Sequence, residues 1–333
     1  MTLKIIIFVF LTILSYAGVF FLRQWLEKRR ILDHPNERSS HEVPTPRGGG
    51  WLIVIITLVT VLAFAIAAQK WNQSLVYVGL GTLIAWIGWL DDVSSLSTRF
   101  RFLMQGIAAA LVIVFIGYFK SVTIPVFGEI QFGFLAIPIT FVWIIGLTNA
   151  YNFMDGIDGI AGVETVTIAA GYVAVSYAAG GAGGTFHGLA LAIAGATLGF
   201  LVWNWAPARI FLGDVGAVPL GFLTGAMMID IAVNQSLVAA LILPLYFAAD
   251  ATITLARRVL EGAKPWEAHR DHFYQRAARG LGSHAAVATR VLVCNGVLVI
   301  AAVFALTAPL PAIVLAVAAV AALLTSLERA AAS

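Results

Sequence analysis

The chain has 333 residues, of which 60% are hydrophobic and only 11% charged, with a formal net charge of +3. A soluble domain of this length could not hide so much apolar side chain, so the bilayer must be the solvent for much of it. The lone cysteine, Cys294, excludes disulfides and thiolate metal sites within one chain.

A membrane span takes ~20 mostly apolar residues. About eleven candidates follow one another, roughly at 3–22, 49–68, 75–90, 102–119, 134–149, 159–179, 186–205, 216–233, 236–256, 288–307 and 309–326. The last two are divided only by Pro309 or Pro311, and a kinked hairpin there would reduce the count to ten. All should be helices, because lipid cannot satisfy an open strand edge. The expected fold is therefore all-α: a polytopic integral membrane protein with 10–11 transmembrane helices, a single catalytic domain over 1–333. The first segment is followed by Arg23, Lys28, Arg29 and Arg30, not by a small-residue cleavage site, so it reads as a signal anchor. The stretch 121–131, with Val122, Ile124, Val126 and Ile130, alternates enough for a small external hairpin.

Charge orients the segments. One alternating set of loops, about 23–48, 91–101, 150–158, 206–215, 257–287 and the tail after 327, collects most of the Lys and Arg. The other set holds Lys4, Lys70 and Lys120. The positive-inside rule then places the first set in the cytoplasm and the N-terminus outside.

The acidic residues gather on the same side. Asp91-Asp92 end one apolar segment and are followed by Arg99 and Arg101. Adjacent carboxylates repel, which points either to a solvated helix end or to a divalent cation or a basic partner that offsets the repulsion; Mg²⁺ takes oxygen ligands, often one or two carboxylates plus phosphate oxygens. Asn149, Asn152, Asp155 and Asp158 crowd the next such loop; on a helix Asp155 and Asp158 would share a face, and the alternative is a capped, Gly-rich turn. Asp214 sits between Gly213 and Gly216 at the start of a span, as an N-cap or as a third acidic point. The run from Asp33 to Gly50 carries Arg38, His41 and Arg47, and its glycines would let backbone amides face an anion. The run His269–Arg276, with Arg270 and His272, suits a diphosphate; no third close ligand supports zinc. Asp250 lies inside a span, as a functional carboxylate or as a partner of Arg257 or Arg258.

In this order the clusters resemble the polyprenyl-phosphate N-acetylhexosamine-1-phosphate transferase superfamily (glycosyltransferase family 4) over nearly the whole chain. The carriers are Asp91-Asp92, Asn149–Gly159, Gly213-Asp214 and the His269–His272 loop. The runs at Asp33–His41 and His269–Arg276 look most like its O-antigen-initiating branch; the interrupted histidine run argues against a muramoyl-pentapeptide substrate. The resemblance implies a bacterial inner-membrane enzyme with a cytoplasmic site. It would move a sugar 1-phosphate from a UDP-sugar to a polyprenyl phosphate, such as undecaprenyl phosphate, with Mg²⁺ or Mn²⁺.

By the same resemblance Asp214 is the main metal ligand, with Asp92 or Asp155 near it. The catalytic set is Asp91, Asp92, Asp155, Asp158 and His272, with Asp91 orienting or deprotonating the acceptor phosphate. A scheme with an aspartate nucleophile stays open. Asn152 and Asp158 would bind the nucleotide, and His272, Arg270 and Arg276 the diphosphate. Arg38, His41, Arg47, Arg99, Asn149 and His269 complete the substrate contacts, and which of His269 and His272 plays the histidine role is open. Besides donor, acceptor and bilayer, a homodimer is allowed and nucleic acid is not expected.

Two other classes compete. A transporter would place its charges near the midplane, in paired repeats, and no repeat is visible. An intramembrane aspartyl protease would need glycine at 211, where Phe211 stands.

Overall fold

The computed structural model describes residues 2–35, 43–68, 71–115, 117–124, 128–181, 185–264 and 269–332. The all-α expectation holds. The helices are α1 (Thr2–Lys28), α2 (Gly50–Ala68), α3 (Trp71–Ser94), α4 (Thr98–Phe115), α5 (Ala136–Met154), α6 (Ile160–Ala178), α7 (Thr185–Asn204), α8 (Asp214–Asn234), α9 (Leu237–Ile242), α10 (Leu245–Leu260), α11 (Phe273–Leu281), α12 (His284–Phe304) and α13 (Pro309–Ala331). Among the described residues, ten of them are long and apolar enough to cross a membrane, which makes this a multi-pass membrane protein.

The segment expected at 236–256 is the exception. It is broken into α9 and α10 around Leu243 and Pro244, because Pro244 has no N–H to continue a helix. The last two spans are separate helices, with Pro309 in the first turn of α13, where its missing N–H costs nothing. The hairpin is present: β3 (Ser121–Ile124) pairs antiparallel with β4 (Gly128–Gln131), and 125–127 lie outside the described residues. A second ribbon pairs β1 (Leu32–Asp33) with β2 (Thr45–Pro46).

α8 is the axis of the bundle. Its residues from Val215 to Ile229 are buried without interruption, against α2, α3, α5 and α6. A helix apolar all round belongs in an interior. Its start approaches the start of α2 so closely that a Cβ on Gly50 would lie 2.2 Å from the Gly216 Cα. Only a residue without a side chain permits that approach.

Several boundaries differ from the sequence reading. α3 and α5 run past their apolar stretches, so Asp91 and Asp92 stand in the last turn of α3, and Asn149 and Asn152 in the last turns of α5. Asp155 and Asp158 do not share a helix face; they lie in the turn between α5 and α6, with Asp155 capping the C-terminus of α5. The loop at 257–287 contains the amphipathic helix α11, which hydropathy alone does not mark.

Candidate active site

Four helix ends and two turns meet at one end of the bundle. The ribbon residue Arg47 forms a parallel bridge with Phe211, and the Phe211 N–H donates to the Pro46 carbonyl at 2.8 Å. The amides of Gly48, Gly49 and Gly50 donate to the Phe211 and Leu212 carbonyls at 2.9–3.2 Å. They are therefore spent on locking the entry of α2 to the entry of α8, and not turned toward an anion as the glycine run implied.

This lock sets Arg47 between two carboxylates. Its Nε lies 2.8 Å from Asp92 Oδ1 and its NH2 2.8 Å from Asp214 Oδ1. Burial acts to lower the Arg47 pKa, but Asp92, Asp214 and Asp33 outweigh it and hold the guanidinium above its usual value. Asp92 faces inward, its side chain 1% exposed. Asp92 Oδ1 accepts the Asp214 N–H at 2.9 Å and its Oδ2 the Val215 N–H at 3.0 Å. A carboxylate from α3 thus caps the positive end of α8. Gly213 precedes that cap at φ 75°, and a Cβ there would lie 2.6 Å from Asp92 Oδ2.

Asp91 is held separately. Its Oδ1 accepts the Leu96 N–H at 2.6 Å and its Oδ2 the Arg101 NH1 at 2.7 Å. Arg101 NH1 also lies 3.8 Å from Asp214 Oδ2, so it links the two carboxylates. Arg99 is exposed; on α4 it points about 200° away from Arg101, since each helical residue turns about 100°. Arg101 therefore takes the place that the sequence assigned to Arg99. Asp155 makes no hydrogen bond or ion pair to any described residue. Burial pushes its carboxyl well above the usual carboxylate range, and the charges of Asp214, Asp92 and Asp158 add to this against Arg47.

Asp91, Arg101, Asn149, Asn152 and Asp214, with Gln105 and Thr98, line a cavity of about 210 Å³. Asn149 Nδ2 donates to Gln105 Oε1 at 2.7 Å, which ties α5 to α4. A second, almost wholly apolar groove of about 760 Å³ runs along α5 and α10. The two share Phe102, Asn149, Phe153 and Leu255, so the cavity adjoins the groove.

Other expected residues have holding roles. Asp158 Oδ2 accepts the Ala208 N–H at 3.0 Å and lies 3.2 Å from His284 Nδ1. It fixes the turn before α8 together with Asn204, which takes the Gly159 N–H at 3.0 Å and donates to the Ile210 carbonyl at 3.0 Å. His272 is 2% exposed, with Nδ1 3.0 Å from Asp250 Oδ1. Asp250 also accepts the N–H groups of Phe273 and Tyr274, each at 3.2 Å, so it caps α11 and does not pair with Arg257 or Arg258. Arg276 points away from the cavity to Glu328, at 2.7 Å. The Arg270 carbonyl accepts from Arg279 at 3.0 Å. His269 stacks on His272 with ring centroids 4.9 Å apart. Burial, followed by His272 and Arg258, lowers the His269 pKa to about 4, so at neutral pH it is an uncharged ring. Arg38 and His41 lie outside the described residues.

The sequence reading missed Tyr274. Its hydroxyl donates to the Phe153 carbonyl at 2.8 Å, which pins the histidine loop to the turn bearing Asp155. Burial, then the charges of Asp250 and Asp155, push its pKa well up, so it stays a donor. Gln105 and Asn204 were missed as well; each is one polar residue in an apolar stretch, and that isolation is the signal that marks them.

Comparison with known proteins agrees with this geometry. The profile of Glycosyl transferase family 4 matches residues 74–232, from α3 through most of α8. A probable undecaprenyl-phosphate N-acetylglucosaminyl 1-phosphate transferase of Bacillus subtilis (strain 168) is 32% identical over 251 residues, covering 74% of this chain and 69% of that protein. The class is that of membrane-embedded glycosyl transferases. The chain belongs to the polyprenyl-phosphate hexosamine-1-phosphate transferase family.

Proposed function

We propose that this protein transfers an N-acetylhexosamine 1-phosphate, or a 6-deoxy form of it, from a UDP-sugar to undecaprenyl phosphate. An oxygen of the acceptor phosphate attacks the sugar-bearing phosphorus, the bond to UMP breaks, and the polyprenyl-diphosphate sugar remains in the membrane. The observation that carries this reading is the junction of a carboxylate- and arginine-lined cavity with an apolar groove. A phosphate on a long prenyl chain needs both at once. The groove is proposed for the prenyl tail and the polar cavity for the phosphates, in a single catalytic domain.

The donor set fits a divalent cation such as Mg²⁺ or Mn²⁺. Its atoms are hard carboxylate oxygens, and among the described residues no cation forms an ion pair with Asp155. Among the described residues no three His, Cys, Asp or Glu form a ready cage, so Asp214 and Asp155 would hold the ion with substrate oxygens completing its shell. The ion would supply charge neutralisation for a diphosphate. Asp92 enters as the carboxylate that positions Asp214, since both of its oxygens are already taken by N–H donors. Asp91 orients Arg101 and is the group placed to orient or deprotonate the acceptor phosphate. Asn149 and Asn152 offer amides to the substrates. His269 contributes as a neutral hydrogen-bonding ring, and His272 stacks behind it.

The basic residues share this end of the bundle, which supports a cytoplasmic site, an external N-terminus and residence in a bacterial inner membrane. The product would start O-antigen or a related surface polysaccharide. The test is a panel of radiolabelled UDP-GlcNAc, UDP-GalNAc, UDP-FucNAc and UDP-QuiNAc with purified protein and undecaprenyl phosphate. At least one donor should label the lipid, and a well-folded Asp214→Asn variant should label none. Near-normal turnover by that variant would remove Asp214 as the metal ligand.

A further inference from the structure

Two side-chain amides meet where the polar cavity adjoins the apolar groove, and their hydrogen bonds fix which way each one faces. Asn149, near the end of α5, lines both spaces; Gln105, on α4, lines the cavity and is 6% exposed. A backbone carbonyl only accepts, so the 2.8 Å contact from Asn149 to the Ile145 carbonyl is made by Nδ2. The second hydrogen of that nitrogen goes to Gln105 at 2.7 Å, so the atom that Gln105 turns to Asn149 is its oxygen. An amide nitrogen carries two hydrogens, and both of those on Asn149 are taken. Those on Gln105 are not: among the described residues nothing bonds its Nε2, and that atom is not sealed inside the bundle. Asn149 therefore has only a carbonyl oxygen to offer a ligand, and Gln105 only a pair of N–H donors.

We infer that Gln105 is a substrate-binding residue, whose Nε2 donates to the phosphate of the polyprenyl phosphate acceptor. Thr98, Arg101 and Gln105 stand three and four residues apart on α4, which sets them on one face, and all three line the cavity. Hydroxyl, guanidinium and amide thus form a ladder of donors, with Gln105 about 10 Å along the helix from Thr98. Phe102, next to Arg101 in the chain, lines the groove as well as the cavity. A phosphate whose prenyl chain lies in the groove has to sit at the boundary between the two spaces, which is where the Gln105–Asn149 pair stands. Its anionic oxygens need N–H donors there. The fold itself makes no use of the Gln105 donors. The UDP-sugar diphosphate is assigned to Asp214 and Asp155, so the two substrates call on different residues.

This rests on the transferase reading, and a binding measurement separates the two. Wild type, Gln105→Met and Gln105→Glu are purified in one detergent. Binding of undecaprenyl phosphate, and of undecaprenol, which lacks the phosphate, is titrated by native mass spectrometry; donor and acceptor KM are then measured. Gln105→Met removes the donors at similar side-chain length. Loss of a hydrogen bond to a charged group predicts a rise of about tenfold in Kd for undecaprenyl phosphate, with undecaprenol within about twofold. Gln105→Glu keeps an oxygen for Asn149 Nδ2 but turns a carboxylate oxygen toward the phosphate, so its rise should be larger. Acceptor KM should follow Kd, with donor KM within about twofold. If Gln105→Met does not fold, Gln105→Glu, which preserves the tie between α4 and α5, decides. Unchanged Kd for the phosphate, equal weakening of undecaprenyl phosphate and undecaprenol, or a rise confined to donor KM would overturn the proposal. A wild type without any transfer would sink the functional reading, and the two Kd values would still decide whether Gln105 holds the phosphate.

Discussion

Replacing Asp92 by alanine tests whether two adjacent aspartates do different work. The change removes a buried carboxylate that accepts two backbone N–H groups, at 2.9 and 3.0 Å, and the Arg47 Nε at 2.8 Å. Each lost cap bond is worth about 1 kcal/mol. Removing one partner of a buried ion pair costs about 3–5 kcal/mol by itself. These do not add fully, because Arg47 keeps Asp214 at 2.8 Å and its own side chain is 35% exposed. The expected loss is therefore about 3–4 kcal/mol for Asp92→Ala, and about 1–2 kcal/mol for Asp92→Asn, which keeps one acceptor oxygen. Asp91→Asn keeps an acceptor for the Leu96 N–H and uncaps no helix, so its unfolding should stay within about 1 kcal/mol of wild type while transfer falls. SDS-driven unfolding in mixed micelles, with transfer assayed on the same samples, reads both quantities. Asp92→Ala unfolding like wild type would refute the reasoning, as would equal destabilisation by the two changes.

Asp155 gives a pH test. Its folded-state pKa is raised, so between the unfolded and folded values the native state binds more protons than the unfolded chain. Stability of the metal-free protein should then fall as pH rises above the usual carboxylate range, by up to about 1.4 kcal/mol per pH unit. Asp155→Asn should remove that slope and unfold at a higher temperature at neutral pH, while losing transfer; parallel stability profiles would contradict the assignment. The groove is tested by Ala251→Trp, which places a large ring among its lining residues. Acceptor KM should rise at least tenfold for a long-chain polyprenyl phosphate and much less for a short-chain analogue, on the order of 1.4 kcal/mol for each tenfold. Equal effects on both acceptors would exclude this groove as the tail site.

Fold class was legible because membrane length and apolar composition leave almost no alternative to helices. The apolar count found the broken segment at 236–256 but not the break, although Pro244 stands in the sequence. The carboxylates were found as a group, and their separate roles were not. Asp91 and Asp92 look alike in sequence, yet on α3 they point in different directions, one toward Arg101 and the cavity, the other toward the start of α8. The same angular logic exchanges Arg99 for Arg101. Arg276 looked like part of a phosphate-binding loop, but α11 turns it toward Glu328 on α13, a contact 52 residues away along the chain. Glu164 and Asn295, polar residues buried within spans, were passed over because neither belongs to a motif.

The most direct measurement is UMP release by the purified protein from a UDP-N-acetylhexosamine, with and without undecaprenyl phosphate. Release should depend on the polyprenyl phosphate and match, mole for mole, the sugar phosphate recovered in lipid. UMP released equally without the acceptor, or none released with any donor, would contradict a site in which prenyl groove and carboxylate cavity work as one.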